Sequence, residues 1–201
     1  MEIKNIIFDF GDVLLDWNPR YLYEKHFEDK NEMNYFLENI CNHDWNREQD
    51  RGRPFAEAVQ ILQRQFPEYQ EKIAMYDDCW ATMLRSDIPE TVEILNSVSK
   101  THNIFGLTNW SAEKIKVAYE RFDFLKQFDG IVVSGEEKLV KPDHRIYYLL
   151  LQRFGIKAQE SLFIDDNPAN VKAAQELGIY AIQFTTPQSL KEELKSFNIL
   201  V

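Results

Sequence analysis

Short apolar runs alternate with amphipathic stretches along most of the chain, and this alternation limits the possible folds more than any other feature. The runs are Lys4–Phe10, Asn103–Thr108, Gly130–Ser134, Ser161–Asp165 and Ile179–Phe184. The stretches that separate the later runs place apolar residues at helical spacing, over 112–121, 143–154 and 168–177. Strands that alternate with helices in this way are typical of βαβ units. We therefore expect an α/β fold with a parallel sheet covered by helices on both faces.

A long segment without a comparable apolar run separates the first predicted strand from the second. Between Trp17 and Arg85 the pattern is helical, and Pro19 and Pro54 stand where helices would begin. About 70 residues are too many for an ordinary crossover between strands. We expect one core, residues 1–15 and 86–201, with a helical cap, residues 16–85, inserted after the first strand.

The charge balance excludes several classes of partner. The 201 residues include 23 Lys and Arg against 33 Asp and Glu, a formal net charge of −10. This charge opposes binding to nucleic acid or to anionic membranes, so we expect neither. No apolar stretch reaches the length of a membrane span, and Cys41 and Cys79 are too few for a disulfide framework. We expect a cytoplasmic monomer or homodimer whose partner is a small molecule.

Polar residues stand at the ends of three predicted strands. Asp9 follows the first, Thr108 and Asn109 end the second, and Asp165 and Asp166 end the fourth. In an open α/β sheet, ligands bind at the carboxyl ends of the strands. Three carboxylates that converge there repel one another unless a divalent cation lies among them. A set of oxygen ligands without His or Cys favours Mg²⁺.

The sequence also contains a candidate cation for binding an anionic ligand. Lys141 precedes a predicted helix in the segment VKPDHRIY. Its ammonium, the hydroxyl of Thr108 and the amide of Asn109 would supply hydrogen-bond donors for phosphate oxygens. Together with Mg²⁺ these donors suit phosphoryl transfer, in which an aspartate can act as the covalent nucleophile.

Four segments in one order resemble the motifs of the haloacid dehalogenase superfamily. IIFDFGDVL is similar to the first motif, LTNW to the second, the Lys141-Pro142-Asp143 triplet to the third and FIDDNPANVKAAQELGIYAI to the fourth. The resemblance covers nearly the whole chain. It implies a Rossmann-like, doubly wound core with a helical cap inserted after the first motif.

The resemblance also implies roles for individual residues. Asp9 would be the nucleophile that forms an aspartyl-phosphate, and Thr108 and Lys141 would hold the phosphoryl group. Asp9 and Asp166 would bind Mg²⁺, and Asp165 would join the metal ligands either directly or through water. The implied activity is that of a Mg²⁺-dependent phosphatase that hydrolyses a small phosphorylated metabolite.

One position departs from the family pattern. Phosphatases of this superfamily usually carry a second aspartate two residues after the nucleophile, as general acid and base, and this chain has Gly11 there. The Gly11 carbonyl can still bind Mg²⁺, but that position has no carboxyl to protonate a leaving group. Asp12 is either a substitute acid or a turn residue.

The departure at Gly11 leads to a hypothesis about the substrate. A similar arrangement occurs in a bacterial subgroup that includes a glucose 1-phosphate phosphatase, which the chain resembles in layout and length. An anomeric hydroxyl is more acidic than an ordinary alcohol, so its departure depends less on a proton donor. We therefore expect a sugar 1-phosphate or another activated phosphate ester.

Gly11 also permits other functions. A 2-haloacid dehalogenase uses an aspartate nucleophile without a metal, but Asp165 and Asp166 would then add uncompensated charge near Asp9. A phosphomutase is disfavoured because it needs the missing acid. A noncatalytic binding module with this fold is disfavoured because the set of reactive residues is intact.

Candidate substrate contacts in the cap are polar or aromatic: Trp17, His43, Trp45 and Arg51.

Overall fold

The computed structural model describes residues 2–200. Its strands are β1 (Asn5–Phe8), β2 (Leu15–Trp17), β3 (Leu84–Asp87), β4 (Asn103–Thr108), β5 (Gly130–Val133), β6 (Ser161–Asp165) and β7 (Tyr180–Gln183). The α-helices are α1 (Arg20–Tyr23), α2 (Lys30–Tyr35), α3 (His43–Asp50), α4 (Phe55–Gln65), α5 (Gln70–Asp78), α6 (Trp80–Met83), α7 (Pro89–Val98), α8 (Ile115–Arg121), α9 (Ser134–Glu137), α10 (His144–Phe154), α11 (Pro168–Glu176) and α12 (Pro187–Ser196). A π-helix spans Phe36–Ile40, and 3₁₀ turns span Pro67–Tyr69, Asp123–Gln127 and Ala158–Glu160.

The main sheet is parallel throughout and has the strand order β5-β4-β1-β6-β7. Alternate residues of the strands enter two separate hydrophobic clusters. Ile6 packs in the cluster that contains Leu95 of α7, whereas Ile7 packs in the cluster that contains Leu150 of α10. Because successive side chains of a strand point to opposite faces, helices cover both faces of the sheet. The predicted doubly wound α/β fold is confirmed.

The inserted helices lie between β2 and β3, which pair with each other as an antiparallel ribbon. Leu15 pairs with Asp87 and Asp16 with Ser86. The segment from Trp17 to Arg85, which was predicted to be helical, therefore meets a short strand at each end: Trp17 ends β2, and Leu84 begins β3. Strands of three and four residues are too short to show a period-two pattern, and long-range pairing alone defines them.

Aromatic side chains form the centre of the inserted helices. Tyr23 contacts Phe36 with ring centroids 4.9 Å apart, and Trp45 meets Tyr76 edge-on at 5.0 Å. Pro19 and Pro54 immediately precede α1 and α4, as expected from the fixed φ of proline. Within residues 2–200, no helix combines the length and the hydropathy that crossing a membrane requires.

Two helices follow directly from loops at the carboxyl edge of the sheet. Asp143 caps α10 by accepting a hydrogen bond from the Arg145 backbone N–H, and Asn167 caps α11 in the same way with Ala169. Pro168 then occupies the first position of α11, which its ring tolerates. These caps hold the loops that carry Lys141 and Asp166.

Candidate active site

Three carboxylates meet at the carboxyl ends of neighbouring strands. Phe8 of β1 pairs in parallel with Ile164 of β6, so the residues that follow, Asp9 and Asp165, lie side by side. Asp9, Asp165 and Asp166 each contribute one carboxylate oxygen to a group whose members all lie within 4.8 Å of one another. The structure thus brings together the acidic residues that the sequence singled out.

Lys141 lies within this acidic cluster and is almost completely buried. Its Nζ atom is 2.9 Å from Asp9 Oδ1 and 2.6 Å from Asp165 Oδ2, and it donates to the Leu107 carbonyl at 2.8 Å. An ammonium has three donors, and these contacts use all of them. Lys141 therefore provides the local cation that an acidic site requires.

Asp165 is fully buried and is held by donors from the protein itself. Its Oδ1 accepts from the Asn167 backbone N–H at 2.9 Å and from Asn170 Nδ2 at 3.0 Å, while Oδ2 accepts from Lys141. The contacts of Asp9 differ. Both the Phe10 backbone N–H, at 2.7 Å, and Lys141 contact its Oδ1.

The two polar residues at the end of β4 have different surroundings. Thr108 is fully buried, and its Oγ1 has no hydrogen-bond partner among the described residues. The Asn109 amide instead binds the Lys141 backbone, accepting from its N–H at 2.8 Å and donating to its carbonyl at 3.1 Å. A buried hydroxyl without a partner is energetically costly. Asn109 fixes the position of the Lys141 backbone.

The electrostatics of the cluster suit a divalent cation. Burial raises the pKa of Asp9 to about 8; Lys141 opposes this shift, and the charges of Asp165 and Asp166 add to it. Burial and the neighbouring Asp165 also raise the pKa of Asp166. For Lys141, burial alone would lower the pKa, but the two carboxylates it contacts outweigh burial and raise it. One lysine does not compensate three acids, so the oxygen ligands fit a hard divalent cation such as Mg²⁺.

A cavity of about 190 Å³ opens above the cluster. Asp9, Gly11, Asp12, Asn109 and Asp166 line it from the core. On the cap side its walls include His43, Asn46, Arg47, Asp50, Trp17 and Trp80, and Trp110 also lines it from the core. A site that is reached under a cap excludes much of the solvent, which strengthens electrostatic interactions inside it.

Two of the four cap residues that the sequence proposed lie at the cavity, namely Trp17 and His43. Trp45 packs against Tyr76 inside the cap, and Arg51 lines a separate surface groove. Of the cavity residues that were missed, Asn46, Arg47 and Asp50 share helix α3 with His43. Their spacing of three, four and seven residues after His43 was a signal that could have identified them.

Comparison with known proteins assigns the chain to a class. The family model described as haloacid dehalogenase-like hydrolase matches residues 6–184. The chain therefore belongs to the haloacid dehalogenase-like hydrolases. In the described part of the chain, the strand order, the inserted helices and the acidic cluster agree with that assignment.

Several relatives match over most of their length. A sesquiterpene phosphatase of Aspergillus oryzae is 28% identical over 96% of this chain and 95% of that protein. A GMP/IMP nucleotidase of Escherichia coli is 26% identical over 78% of this chain and 77% of that protein. A phosphorylated carbohydrates phosphatase of Thermotoga maritima is 23% identical over 90% of this chain and 84% of that protein. A shorter match, 42% identical over 71 residues, covers 35% of this chain and 7% of the mouse acyl-CoA dehydrogenase family member 10.

Solved structures with the same fold include an enzyme bound to magnesium and phosphate and a dehalogenase. A HAD family enzyme of Bacteroides thetaiotaomicron in complex with magnesium and inorganic phosphate superposes with a TM-score of 0.71 at 24% identity, covering 91% of this chain and 94% of that one. The L-2-haloacid dehalogenase of Xanthobacter autotrophicus superposes with a TM-score of 0.66 at 16% identity, covering 100% and 85%. The fold alone therefore does not separate a phosphatase from a dehalogenase.

Proposed function

We propose that the protein is a Mg²⁺-dependent phosphatase that hydrolyses a small phosphorylated metabolite through an aspartyl-phosphate on Asp9. The observation that carries this proposal is the buried arrangement of Lys141 between Asp9 and Asp165. The unpartnered hydroxyl of Thr108 stands at the carboxyl end of the neighbouring strand β4. The site therefore offers a nucleophile and a cation in contact, with a free hydroxyl at the same edge of the sheet. An anionic tetrahedral group fits it better than a neutral substrate does.

The residues divide the work of phosphoryl transfer between them. Asp9 attacks phosphorus with Oδ2, because its Oδ1 is engaged by Phe10 and Lys141. The bond from phosphorus to the ester oxygen breaks, and the leaving group departs as an alkoxide that takes its proton from water. Water then attacks the aspartyl-phosphate, which releases inorganic phosphate and restores Asp9. Thr108 would hold a phosphoryl oxygen, and Lys141, whose donors already bind protein groups, would stabilise the developing charge through its ammonium.

Asp9, Asp166 and the carbonyl of Gly11 would hold Mg²⁺. When bound, the ion supplies positive charge that neutralises the phosphoryl oxygens and the acidic cluster. Asp165 already receives hydrogen bonds from Asn167 and Asn170 as well as Lys141, so we assign it mainly to positioning Lys141. Asn109 supports the same lysine through its backbone.

For the substrate we propose a sugar 1-phosphate, and for the location the cytoplasm. Two features support the choice of substrate. Gly11 provides no acid for the leaving group, and the cavity that would receive this group is small and lined by polar and aromatic residues. An anomeric leaving group is the kind of alcohol that departs most easily without a proton donor.

Phosphate release from p-nitrophenyl phosphate, with Mg²⁺ and with EDTA, tests the activity. We expect turnover only with Mg²⁺ and a loss of at least about 1,000-fold in Asp9→Asn, because the nucleophile is removed. Equal rates in the native protein and the variant would refute the role of Asp9. Glucose 1-phosphate should be preferred over glucose 6-phosphate, and a clear preference for the 6-phosphate would refute the proposed leaving group.

The dehalogenase remains the second candidate because a solved dehalogenase shares the fold. Chloride release from 2-chloropropionate in the presence of EDTA would support it. We expect none, since a metal-free site would leave Asp166 uncompensated beside Asp9.

A further inference from the structure

Helix α3 presents a polar stripe to the cavity above the acidic cluster. His43, Asn46, Arg47 and Asp50 all line this cavity, and their positions i, i+3, i+4 and i+7 form one face of a helix. A helix that packs against a protein core ordinarily places apolar residues on that face. Here the face is polar, which indicates that it meets a polar ligand.

Asn46 and Asp50 form a pair within this stripe. Asn46 donates from Nδ2 to Asp50 Oδ2 at 3.2 Å, while its Oδ1 is buried and has no partner among the described residues. The Asp50 carboxyl also accepts from the Ser111 backbone N–H. Acceptor capacity remains at the amide oxygen of Asn46 and at the other lone pairs of the Asp50 carboxyl. Hydroxyl groups are the donors that such acceptors bind.

Three tryptophans also line the cavity. Trp80 packs between Trp17 and Trp110, with centroid distances of 6.3 and 5.6 Å. The indole Nε1 atoms of Trp17 and Trp110 are buried and, within the described chain, unpartnered. Apolar ring faces beside free N–H donors complement a ligand that has C–H faces and hydroxyl oxygens.

The position of the stripe is fixed against the core. Ser134 donates from Oγ to the Asp50 carbonyl at 2.6 Å, and Arg47 donates from Nη2 to the Lys141 carbonyl at 3.2 Å. Arg47 thereby connects the cap helix to the segment that carries the buried lysine. The Asn46–Asp50 pair is held over the reaction centre by the fold itself.

We propose that Asp50 and Asn46 are specificity residues that accept hydrogen bonds from hydroxyl groups of a sugar leaving group. This inference rests on the proposed phosphatase function and adds to it the residues that recognise the sugar. An apolar alcohol such as a terpenoid, once esterified, has no hydroxyl left to satisfy this pair, and buried polar groups without partners disfavour such a ligand.

The test compares Asp50→Asn and Asn46→Ala with the native protein on three substrates. Glucose 1-phosphate carries hydroxyls on the leaving group, whereas propyl phosphate and p-nitrophenyl phosphate carry none. Propyl phosphate has a poor leaving group and p-nitrophenyl phosphate a good one. Asp44→Asn is the matched control, because Asp44 lies on the same helix with a side chain 93% exposed to solvent.

We expect each variant to raise KM for glucose 1-phosphate about 10- to 100-fold, while kcat/KM for the two hydroxyl-free esters changes less than about threefold. Asp44→Asn should match the native protein on all three. Equal losses on all three substrates would overturn the inference while leaving the phosphatase function intact. A loss in Asp50→Asn on propyl phosphate but not on p-nitrophenyl phosphate would assign Asp50 to proton donation instead, and would also overturn it. If the native protein releases phosphate from none of the three, the proposed function fails and the inference fails with it.

Discussion

Replacement of Lys141 by methionine tests how far the buried acidic cluster depends on its one internal cation. Methionine has a similar length and no charge, so Lys141→Met removes the ammonium with little change in volume. The variant leaves Asp9 and Asp165 without the cation that now contacts them at 2.9 and 2.6 Å.

The expected loss of stability follows from the burial of both partners. Removing one member of a buried ion pair costs about 3–5 kcal/mol, because the remaining charge has neither solvent nor partner. Asp9 offsets part of this cost by taking up a proton, since burial raises its pKa to about 8 even with the lysine present. Asp165 is fully buried and would keep only its hydrogen bonds from Asn167 and Asn170. We expect a loss of about 3 kcal/mol, at the lower end of the range.

Thermal denaturation followed by circular dichroism measures this loss. For a chain of this length each kcal/mol shifts Tm by about 2–4 °C, so Tm should fall by about 6–12 °C in EDTA. Added Mg²⁺ should reduce the difference, since a cation among the carboxylates replaces the missing charge. Lys172→Met is the control, because the Lys172 side chain is 77% exposed and pairs with Glu176 on the surface at 3.9 Å. Its expected effect is below about 0.5 kcal/mol.

A loss in Lys141→Met of less than about 1 kcal/mol would refute this reasoning. It would mean that the two carboxylates are compensated by protons or water rather than by the lysine. A loss that Mg²⁺ does not reduce would contradict the assignment of the cluster as a cation site.

Four further substitutions probe separate parts of the molecule. Thr108→Val should leave the free energy of unfolding unchanged or raise it by up to about 1 kcal/mol, because an unpartnered buried hydroxyl is removed. Phosphate release should fall at least about 10-fold. A large loss of stability would contradict the assignment of Thr108 as an unpartnered hydroxyl. Burial raises the pKa of Asp50 from 3.8 to about 7, so the folded protein loses stability as pH rises through that interval. In urea denaturation, the free energy of unfolding of Asp50→Asn should therefore equal that of the native protein at pH 4. At pH 8 it should be higher by about 1–2 kcal/mol, after allowance for partial exposure. A variant that is less stable than the native protein at pH 8 would exclude this pKa shift. Gly135→Ala should destabilise the protein by about 1–3 kcal/mol or more, because an added Cβ would lie 2.4 Å from the Ala112 nitrogen. Gly11→Ala places its Cβ in open space, so this variant should retain both the Tm and the activity of the native protein.

Much of the core could be predicted from local pattern. The five apolar runs became the five parallel strands, with bounds that differ by a few residues at most, because a strand buried on both faces leaves a continuous apolar signal. The same pattern located Asp9, Thr108 and Asp165, since each stands at the carboxyl end of such a strand. Parallel neighbours then bring these ends together.

The cap and the residues that it contributes to the site were harder to predict from the sequence. The ribbon of β2 and β3 depends on pairing between residues about 70 positions apart, and strands this short carry little local signal. Trp45 and Arg51 have the same residue types as Trp17 and His43. Only the packing of the cap helices decides which of them face the cavity.

The fold class, the order of the motifs and the acidic cluster could all be predicted from the chain alone, because periodicity and strand-end chemistry are local properties. The tertiary structure decided the partners of each polar group. It placed Lys141 between two carboxylates, assigned the Asn109 amide to the lysine backbone and left the Thr108 hydroxyl free. It also placed the polar stripe of helix α3 in the cavity wall. These contacts join residues far apart in the chain, and their energies depend on burial, which no local pattern specifies.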